Sequence, residues 1–242
     1  MNNSTLLRWL FFLLGCGLSP GAAAFATPTF TVAASLNRSA MTLEIEQQLS
    51  EAYQALGYQL QIQYLPAERS LKMSNNGQFD GELFRIAAVT EQYPQLVQVP
   101  VALAQIELYA VVQAKRSSEF SNWQNNEQLR IGFVRGFKMA ERYQVAGHQI
   151  VVNTARQAVQ MLQQGKIDLL LEDLLSLREA INGPEQQAGL RLLAEPLASE
   201  PLFHFVHQQH RALVPALSQQ LQRQLAGKKR KKSASDKGGD QK

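Results

Sequence analysis

The chain contains very little cysteine and, beyond its N-terminal segment, none of the short motifs that mark common enzymes. Cys16 is the only cysteine among 242 residues, and it lies close to the N-terminus. If the first residues are removed on export, no disulfide, thiol nucleophile or thiolate metal site is available to the mature protein. H-E-x-x-H, phosphate-loop and dinucleotide-binding motifs are also missing, and G-x-S-x-G occurs only within the N-terminal segment, at residues 17–21. The rest of the chain therefore lacks the usual sequence signatures of hydrolases, zinc proteases and nucleotide-binding enzymes.

Long apolar runs are missing too, and the N-terminus has the features of an export signal. A single positive charge precedes an apolar stretch at residues 9–14, and Ala24-Phe25-Ala26 is a small-residue cleavage site. The apolar stretch is too short to span a membrane, which takes roughly 20 apolar residues. We therefore predict a signal peptide at residues 1–26, cleavage before Thr27 and a periplasmic protein. The alternative is a lipoprotein signal in which Cys16 is lipidated.

The formal net charge of +4 comes from the two ends of the chain. Residues 228–242 hold seven basic and two acidic residues, and one arginine leaves with the signal. Residues 27–227 therefore have 16 basic and 18 acidic residues, a balance that does not favour nucleic-acid binding. The nearly apolar-free tail at residues 228–242 is predicted to be disordered. It is either a solvated terminus or a basic patch for an anionic surface.

One sequence pattern occurs twice, 88 residues apart. AERSLKMSNNGQFD (67–80) is echoed by ARQAVQMLQQGKID (155–168), with identical residues at Ala67/Ala155, Met73/Met161, Gly77/Gly165 and Asp80/Asp168. Each copy has the pattern of a helix that ends at glycine and is followed by the start of a strand. A β-rich run precedes each copy, so we predict two strand-helix-strand units.

Two such units predict an α/β protein with two similar lobes and a ligand cleft between them. We assign residues 27–111 and 200–227 to lobe 1 and residues 112–199 to lobe 2. In lobe 1 a strand near residues 30–34 is followed by a helical stripe from Thr42 to Leu56.

This order of segments resembles the extracellular solute-binding protein family 3, the amino-acid type of bacterial periplasmic binding protein. The resemblance covers nearly the whole mature chain and rests on FTVAA (30–34), IELYAVVQ (106–113), SNWQNNEQLRIGFVRG (121–136) and QQGKIDLLLED (163–173). It implies a type II periplasmic-binding fold with two hinge crossovers, near residue 111 and near residues 200–206. The lobes would close about these crossovers on a ligand.

The resemblance also implies a function. The protein would bind a small polar solute, an amino acid or a related compound, and deliver it to a membrane permease for ABC-type uptake. It would act as a monomer without a cofactor. Two alternatives stay open: a sensing module for a membrane signalling partner, and a periplasmic dehydratase-like enzyme in which Glu172 would be the acid or base.

Asp173 is the first candidate ligand residue. In amino-acid-binding relatives, an aspartate eight residues after the glycine equivalent to Gly165 receives the ligand's amino group. A carboxylate at the C-terminal end of a buried parallel strand also lies where α/β sheets bind ligands. The alternative is a helix N-cap, because a helix is predicted from Leu174. Glu172 precedes Asp173, and strand alternation predicts that the two side chains face opposite sides.

Two arginines are candidates in lobe 1. Arg85 ends the strand after the first repeat and could hold a carboxylate or another planar anion; a salt bridge with Glu82 is the alternative. Arg69, near a helix start, is either a ligand contact or a solvated residue. Relatives carry their carboxylate-binding arginine where this chain has Tyr93, so Tyr93 becomes a candidate and the ligand is predicted to differ from a plain amino acid.

The remaining candidates are an aromatic and a polar residue. Phe137 follows Gly136 at the start of the second lobe's first helix, where it either stacks on the ligand or packs against its own lobe. Asn37 lies after the first strand, in place of the aromatic and acidic contacts of the relatives. His204, His207 and His210 are spaced by three residues, but in a strand the first two would face opposite sides, so no metal site is predicted.

Overall fold

The computed structural model describes residues 27–238 except residues 37, 182, 185, 186, 188 and 194, with side chains as far as residue 228. The predicted signal peptide lies outside the described residues. The strands are β1 (Thr29–Ser35), β2 (Gln59–Leu65), β3 (Gly81–Ile86), β4 (Leu96–Gln113), β5 (Arg130–Val134), β6 (His148–Val152), β7 (Leu169–Glu172), β8 (Leu190–Leu192) and β9 (Ala198–His207). The α-helices are α1 (Ala40–Ala55), α2 (Ala67–Asn75), α3 (Lys138–Arg142), α4 (Ala155–Gln163), α5 (Leu174–Ala180) and α6 (Val214–Gly238).

The hydrogen-bonded strands follow the order β2-β1-β3-β9-β4-β7-β5-β6, and its two halves, joined where β9 pairs with β4, have the same internal arrangement. In lobe 1 the order is β2-β1-β3-β9, with β1, β2 and β3 parallel and β9 antiparallel. In lobe 2 it is β6-β5-β7-β4, with β5, β6 and β7 parallel and β4 antiparallel. The predicted α/β fold with two similar lobes is therefore confirmed, and each repeat contributes its strands to a different lobe.

Two long strands join the lobes. The first half of β4 pairs with β9, while its second half, from Tyr109, pairs with β7 and β8 of lobe 2. β9 pairs with β4 along most of its length and with β3 of lobe 1. The predicted boundaries near residues 111 and 200 fall inside these strands. Because β4 takes part in both sheets, the assignment of its residues to one lobe stays a prediction.

The repeated residues make the same local structure twice. Helices α2 and α4 both end before a glycine with positive φ, 75° at Gly77 and 67° at Gly165. The next backbone N–H donates back to the matching methionine carbonyl, at 3.0 Å for Met73 and 2.8 Å for Met161. This arrangement satisfies carbonyl groups that the helix end leaves open. The chain then turns directly into the central strand of each lobe.

Three clusters of buried side chains hold the fold together. One fills lobe 1 between its sheet and helices α1 and α6, and one fills lobe 2 around α4 and α5. A third contains Leu71 and Ile86 of lobe 1 together with Ile131 and Leu169 of lobe 2. Because this cluster includes residues of both lobes, the structure represents the lobes in contact.

The C-terminal helix is longer than predicted. Disorder was expected from residue 228, but α6 runs from Val214 to Gly238. Leu217 and Leu221 are fully buried in lobe 1 and anchor its first turns. Lysine, arginine and alanine are good helix formers, and adding residues to an existing helix costs far less than starting one. The mobility of this tail stays a prediction. No helix in the described part of the chain is long and apolar enough to cross a membrane.

Candidate functional site

A cleft of about 340 Å³ lies between the lobes. The C-terminal ends of parallel strands from both lobes open into it, as Ser35, Ile86, Val134 and Glu172 show. Most of the lining is apolar and comes from both sides: Leu36, Met41, Pro66, Phe84, Ile86, Val89, Ile106, Val134, Phe137, Met139, Ala180 and Leu202. Ligands of α/β proteins bind at this end of the strands. The cleft is therefore the candidate site.

On the lobe 1 side, the polar feature is a buried ion pair. Arg85 Nη2 lies 2.5 Å from Glu82 Oε1 and donates to Ser70 Oγ at 2.7 Å. The hydroxyls of Ser70 and Ser74 also donate to the Glu82 carboxylate, at 2.9 and 3.0 Å. Burial raises the pKa of Glu82, and the Arg85 charge and the serine hydrogen bonds oppose that rise. Arg85 lines the cleft, whereas Glu82, which neutralises the Arg85 charge, does not.

On the lobe 2 side, two neighbouring carboxyl groups line the cleft. Asp173 is the N-cap of α5: its Oδ1 accepts from the backbone N–H groups of Leu175 and Ser176, each at 2.9 Å. Its Oδ2 accepts from the Ser176 hydroxyl. Both oxygens of Asp173 are thus used inside the helix end, which accounts for its conformation at the start of α5.

The Glu172 side chain has far fewer hydrogen bonds than that of Asp173. Its Oε1 accepts from the backbone N–H of Asp173 at 3.1 Å, and the residue is 3 % exposed. Burial raises the pKa of Glu172 well above its usual range, and the adjacent Asp173 carboxylate raises it further. In the described part of the chain, Oε2 of Glu172 is buried without a hydrogen-bond partner.

Two residues that line the cleft, one from each lobe, have such an unpartnered atom. Of the buried side-chain atoms that lack a partner among the described residues, those belonging to cleft-lining residues are Arg85 Nε and Glu172 Oε2. The first is a donor on lobe 1, and the second is an oxygen on lobe 2. Unsatisfied buried polar groups are costly and uncommon, and functional sites are a frequent reason for them.

A polar contact between the lobes lies beside the cleft. Lys138 Nζ of lobe 2 lies 2.8 Å from Glu68 Oε2 of lobe 1 and 2.8 Å from Glu141 Oε2. Tyr93 OH donates to the other Glu68 oxygen at 2.9 Å. Although burial opposes it, hydrogen bonds from Lys138 and Tyr93 hold the pKa of Glu68 below its usual value. We call Glu68, Tyr93, Lys138 and Glu141 the interlobe latch.

The backbones of the two lobes meet next to this latch. Gly136 has φ +84°, and a Cβ atom placed on it would lie 2.4 Å from the backbone nitrogen of Glu68 and 2.8 Å from the carbonyl carbon of Ala67. Only glycine fits at this separation and this φ. The latch and the glycine contact show that the lobes are closed on one another.

The structure brings together some of the residues predicted for the site. Arg85, Asp173 and Phe137 all line the cleft, from both lobes. The alternative roles weighed for two of them are also seen, since Arg85 pairs with Glu82 and Asp173 caps α5. Asn37 lies outside the described residues. Whether these side chains contact a ligand stays a prediction.

Two predicted residues lie elsewhere. Arg69 does not line the cleft, because it occupies the exposed face of α2 while its neighbour Ser70 faces Glu82. Tyr93 does not line it either: its ring is 6 % exposed and its hydroxyl is used by Glu68. The geometry therefore makes Tyr93 part of the interlobe latch, where it holds Glu68. The latch itself was missed, because Glu68 and Lys138 are 70 residues apart and no local pattern links them.

The three histidines do not converge. His204 is fully buried in lobe 1, within hydrogen-bond distance of Tyr53 OH at 2.8 Å and of the Leu83 carbonyl at 3.1 Å. His210 Nε2 lies 2.6 Å from Asp80, and the His207 ring packs over Gly77. No group of three potential metal ligands is found within the described residues.

Comparison with family models and with curated protein sequences gives no match. Solved structures do match. An amino acid ABC transporter substrate-binding protein, AbpA from Streptococcus pneumoniae bound to L-arginine, is 13% identical over 86% of this chain and 93% of that chain, with a TM-score of 0.63. A histidine kinase sensor domain with similarity to periplasmic binding proteins is 12% identical over 86% and 95%, with a TM-score of 0.66.

This chain has the two-lobed fold of the periplasmic binding proteins. The fold expected from the sequence resemblance is thus confirmed. A further match is the ancestral amino acid-binding protein AncCDT-1, a precursor of cyclohexadienyl dehydratase, at 11% identity over 81% of this chain and 88% of that chain, with a TM-score of 0.63. The fold is therefore found among transport receptors, sensor domains and the ancestors of an enzyme.

Proposed function

We propose that this protein is a periplasmic solute-binding protein whose lobes close on a small polar solute, an amino acid or a related compound, for ABC-type uptake. The observation that carries the proposal is that two cleft-lining residues each have a buried atom without a partner among the described residues, Arg85 Nε on lobe 1 and Glu172 Oε2 on lobe 2. A solute with a hydrogen-bond acceptor at one end and a donor at the other would satisfy both. It would do so only while the lobes are together.

This arrangement explains how a solute would control closure. A ligand shifts a conformational equilibrium only by as much as it binds one state better than the other. A solute that touches Arg85 and lobe 2 at the same time makes its full set of contacts only in the closed form. The interlobe latch then adds the Glu68–Lys138 ion pair to the closed state, and a membrane permease can recognise the closed surface.

The apolar lining supports a solute with a hydrophobic body. Phe84 and Phe137 come from different lobes and line the same cleft. Burying apolar surface between them contributes about 25 cal/mol for each Å² removed from water. Polar groups at the ends would set orientation, as in other small-molecule sites.

The test is a binding screen on the exported protein. Thermal shift and titration calorimetry with amino acids, amino alcohols, amines and organic acids would identify solutes, and small-angle scattering would report closure. At about 100 times its Kd, a solute should stabilise the protein by about 2.7 kcal/mol. Arg85→Gln should weaken binding of the same solute, whereas Arg69→Gln, on the exposed face of α2, should not. Absence of binding by every class, with the radius of gyration unchanged throughout, would contradict the proposal.

A second candidate function is ligand sensing for a membrane signalling partner. The similarity to a histidine kinase sensor domain, with a TM-score of 0.66, favours it. Both functions require the same closure of the lobes, and they differ in the membrane partner that recognises the closed form. Co-purification after crosslinking in the native envelope distinguishes them: a permease supports uptake, and a kinase or cyclase supports sensing.

A further inference from the structure

We propose that Glu172, rather than Asp173, receives the cationic group of the ligand, and that the cleft prefers an amine whose second polar group is uncharged over an amino acid with a free carboxylate. This inference rests on the proposed solute-binding function and specifies its ligand class.

The hydrogen bonds of Asp173 argue against its use as the ligand's acceptor. Its Oδ1 already accepts from two backbone N–H groups, and its Oδ2 accepts from the Ser176 hydroxyl. A ligand ammonium group would have to compete with this cap at the start of α5. Loss of such a cap destabilises the helix start, which reduces the gain from any new contact.

Glu172 is the carboxyl group that remains. Its Oε2 has no partner within the described part of the chain. Glu172 is 3 % exposed and is one of the residues that line the cleft. A buried carboxyl oxygen without a hydrogen-bond partner is unfavourable. An ammonium group placed against it would supply the missing hydrogen bond and favour the ionised carboxylate, so the structure favours Glu172 as the acceptor.

The surrounding charges favour a cation over a zwitterion. The basic residues that line the cleft are Arg85, Lys138 and Arg156. Arg85 is paired with Glu82, Lys138 with Glu68 and Glu141, and Arg156 also has an interaction partner. The lining has as many carboxyl groups, Glu172, Asp173 and Glu179, while Glu68, Glu82 and Glu141 pair with its basic residues from outside the lining.

A ligand carboxylate would therefore meet an unfavourable site. At the lobe 1 end it would face an Arg85 that Glu82 already neutralises at 2.5 Å. At the lobe 2 end it would approach the neighbouring carboxyl groups of Glu172 and Asp173, which suit an ammonium group better than a second carboxylate. A neutral acceptor such as a hydroxyl or carbonyl can take the free Arg85 Nε–H without either penalty. The best ligand therefore combines an ammonium group, an apolar body and a neutral acceptor.

The experiment compares matched probes by titration calorimetry at one pH and low salt. The probes are L-leucine and L-phenylalanine, the amino alcohols L-leucinol and L-phenylalaninol, and the corresponding alcohols that lack the amine. The Kd of each amino alcohol should be at least about tenfold lower than that of its amino acid, a difference of about 1.4 kcal/mol in binding free energy. The alcohols without an amine should bind most weakly.

Two variants separate the carboxyl groups. Glu172→Gln should weaken binding of the tighter amino alcohol about tenfold or more and leave the amine-free alcohol nearly unchanged. Asp173→Asn keeps an oxygen for the N-cap and should change the affinity of either probe by less than about threefold. If Glu172→Gln does not fold, the affinity loss with Asp173→Asn still tests whether Asp173 is the acceptor, and the ranking of probes by the parent protein tests the ligand class.

Opposite results overturn the inference without touching the proposed function. Tighter binding of the amino acid than of its amino alcohol would mean that the cleft accepts a carboxylate. A larger loss with Asp173→Asn than with Glu172→Gln would make Asp173 the acceptor. If none of these probes binds while another solute closes the lobes, the ligand class is wrong and the binding function stands.

Discussion

The two lobes each bury a carboxyl group on the strand that follows their repeated helix, and these groups have opposite surroundings. Glu82 on β3 of lobe 1 accepts from Ser70, Ser74 and Arg85. Glu172 on β7 of lobe 2 accepts from one backbone N–H, and its Oε2 has no partner among the described residues. The first carboxyl group is fully hydrogen-bonded inside its lobe, whereas the second belongs to a cleft-lining residue and keeps one oxygen unpartnered.

What the lobes share lies just before these carboxyl groups. The repeated aspartates, Asp80 and Asp168, each accept from the backbone N–H of the neighbouring first strand, at 2.7 Å from Thr31 and 3.0 Å from Arg130. Their own N–H groups donate back to the carbonyls of the same two residues, at 2.7 and 2.8 Å. The repeat therefore fixes the join between helix and sheet, while the residues after it differ and carry the chemistry of the site.

Removing the charge of each buried carboxyl group should have unequal effects on stability. Glu82→Gln leaves Arg85 buried without its ion pair and should lower the free energy of unfolding by about 3 kcal/mol. Glu172→Gln loses no charged partner and should stay within about 0.5 kcal/mol of the parent protein. Urea unfolding followed by circular dichroism measures both. Equal losses would mean that Glu172 is also a structural residue.

Closure should depend on the glycine where the lobes touch. Gly136→Ala puts a Cβ against the backbone of residues 67 and 68, so we expect a larger radius of gyration and solute affinity lower by about 100-fold. Gly57→Ala is the matched control, because Gly57 has φ +81° and no atom within 4 Å of the added Cβ. It should cost similar backbone strain in lobe 1 and leave closure intact. The same affinity loss in both variants would show that strain, and not contact between lobes, is responsible.

Acid should weaken lobe 1 before lobe 2. Burial lowers the pKa of His204 in lobe 1 from 6.5 to about 4, so the unfolded state binds more protons and stability falls as the pH drops from 6.5 towards 4. The Arg130 side chain lowers the pKa of Asp168 in lobe 2 to about 2, so its contribution is lost only at lower pH. At pH 5 the loss from His204 is about 2 kcal/mol.

Amide hydrogen exchange read by mass spectrometry resolves this difference by lobe. Because burial raises the pKa of Glu82, that residue acts in the opposite direction, so the His204 effect is taken as the difference between the parent protein and His204→Asn. The variant should lose most of the lobe 1 dependence between pH 7 and pH 5. An unchanged dependence would assign it to other groups.

The latch should contribute less than the backbone contact. Lys138→Met removes the ion pair with Glu68 across the lobes and should lower solute affinity about tenfold, or about 1.4 kcal/mol. Lys72→Met removes a second, exposed partner of Glu68 within lobe 1, at 3.5 Å, and should have little effect. Calorimetry on both variants tests this. An equal effect of Lys72→Met would remove the interlobe pair from the account of closure.

The sequence was enough to predict what local patterns determine. The repeat at residues 67–80 and 155–168 predicted two lobes and placed Arg85 and Asp173 at strand ends, which do line one cleft. Partners close in the sequence could also be predicted from it. The Arg85–Glu82 pair and the Asp173 cap both join residues at most three apart.

What sequence reasoning missed depends on how the lobes meet. The Glu68–Lys138 pair and the Gly136 contact are set by the two crossover strands, which no local pattern encodes. Arg69 and Tyr93 were placed near the ligand from their positions along the chain, but the rotation of α2 and the use of the Tyr93 hydroxyl by Glu68 keep both out of the cleft. The free oxygen of Glu172 could be found only by accounting for each hydrogen bond.

A crystal structure of the protein with the tightest-binding amino alcohol tests the central claim most directly, namely that the lobes close on a solute held between Arg85 and Glu172. We expect the ammonium nitrogen about 3 Å from Glu172 Oε2, the hydroxyl oxygen accepting from Arg85 Nε, and the Glu68–Lys138 contact formed. An ammonium group bound to Asp173 with Glu172 untouched, or a ligand bound to one lobe while the lobes stay apart, would contradict the account.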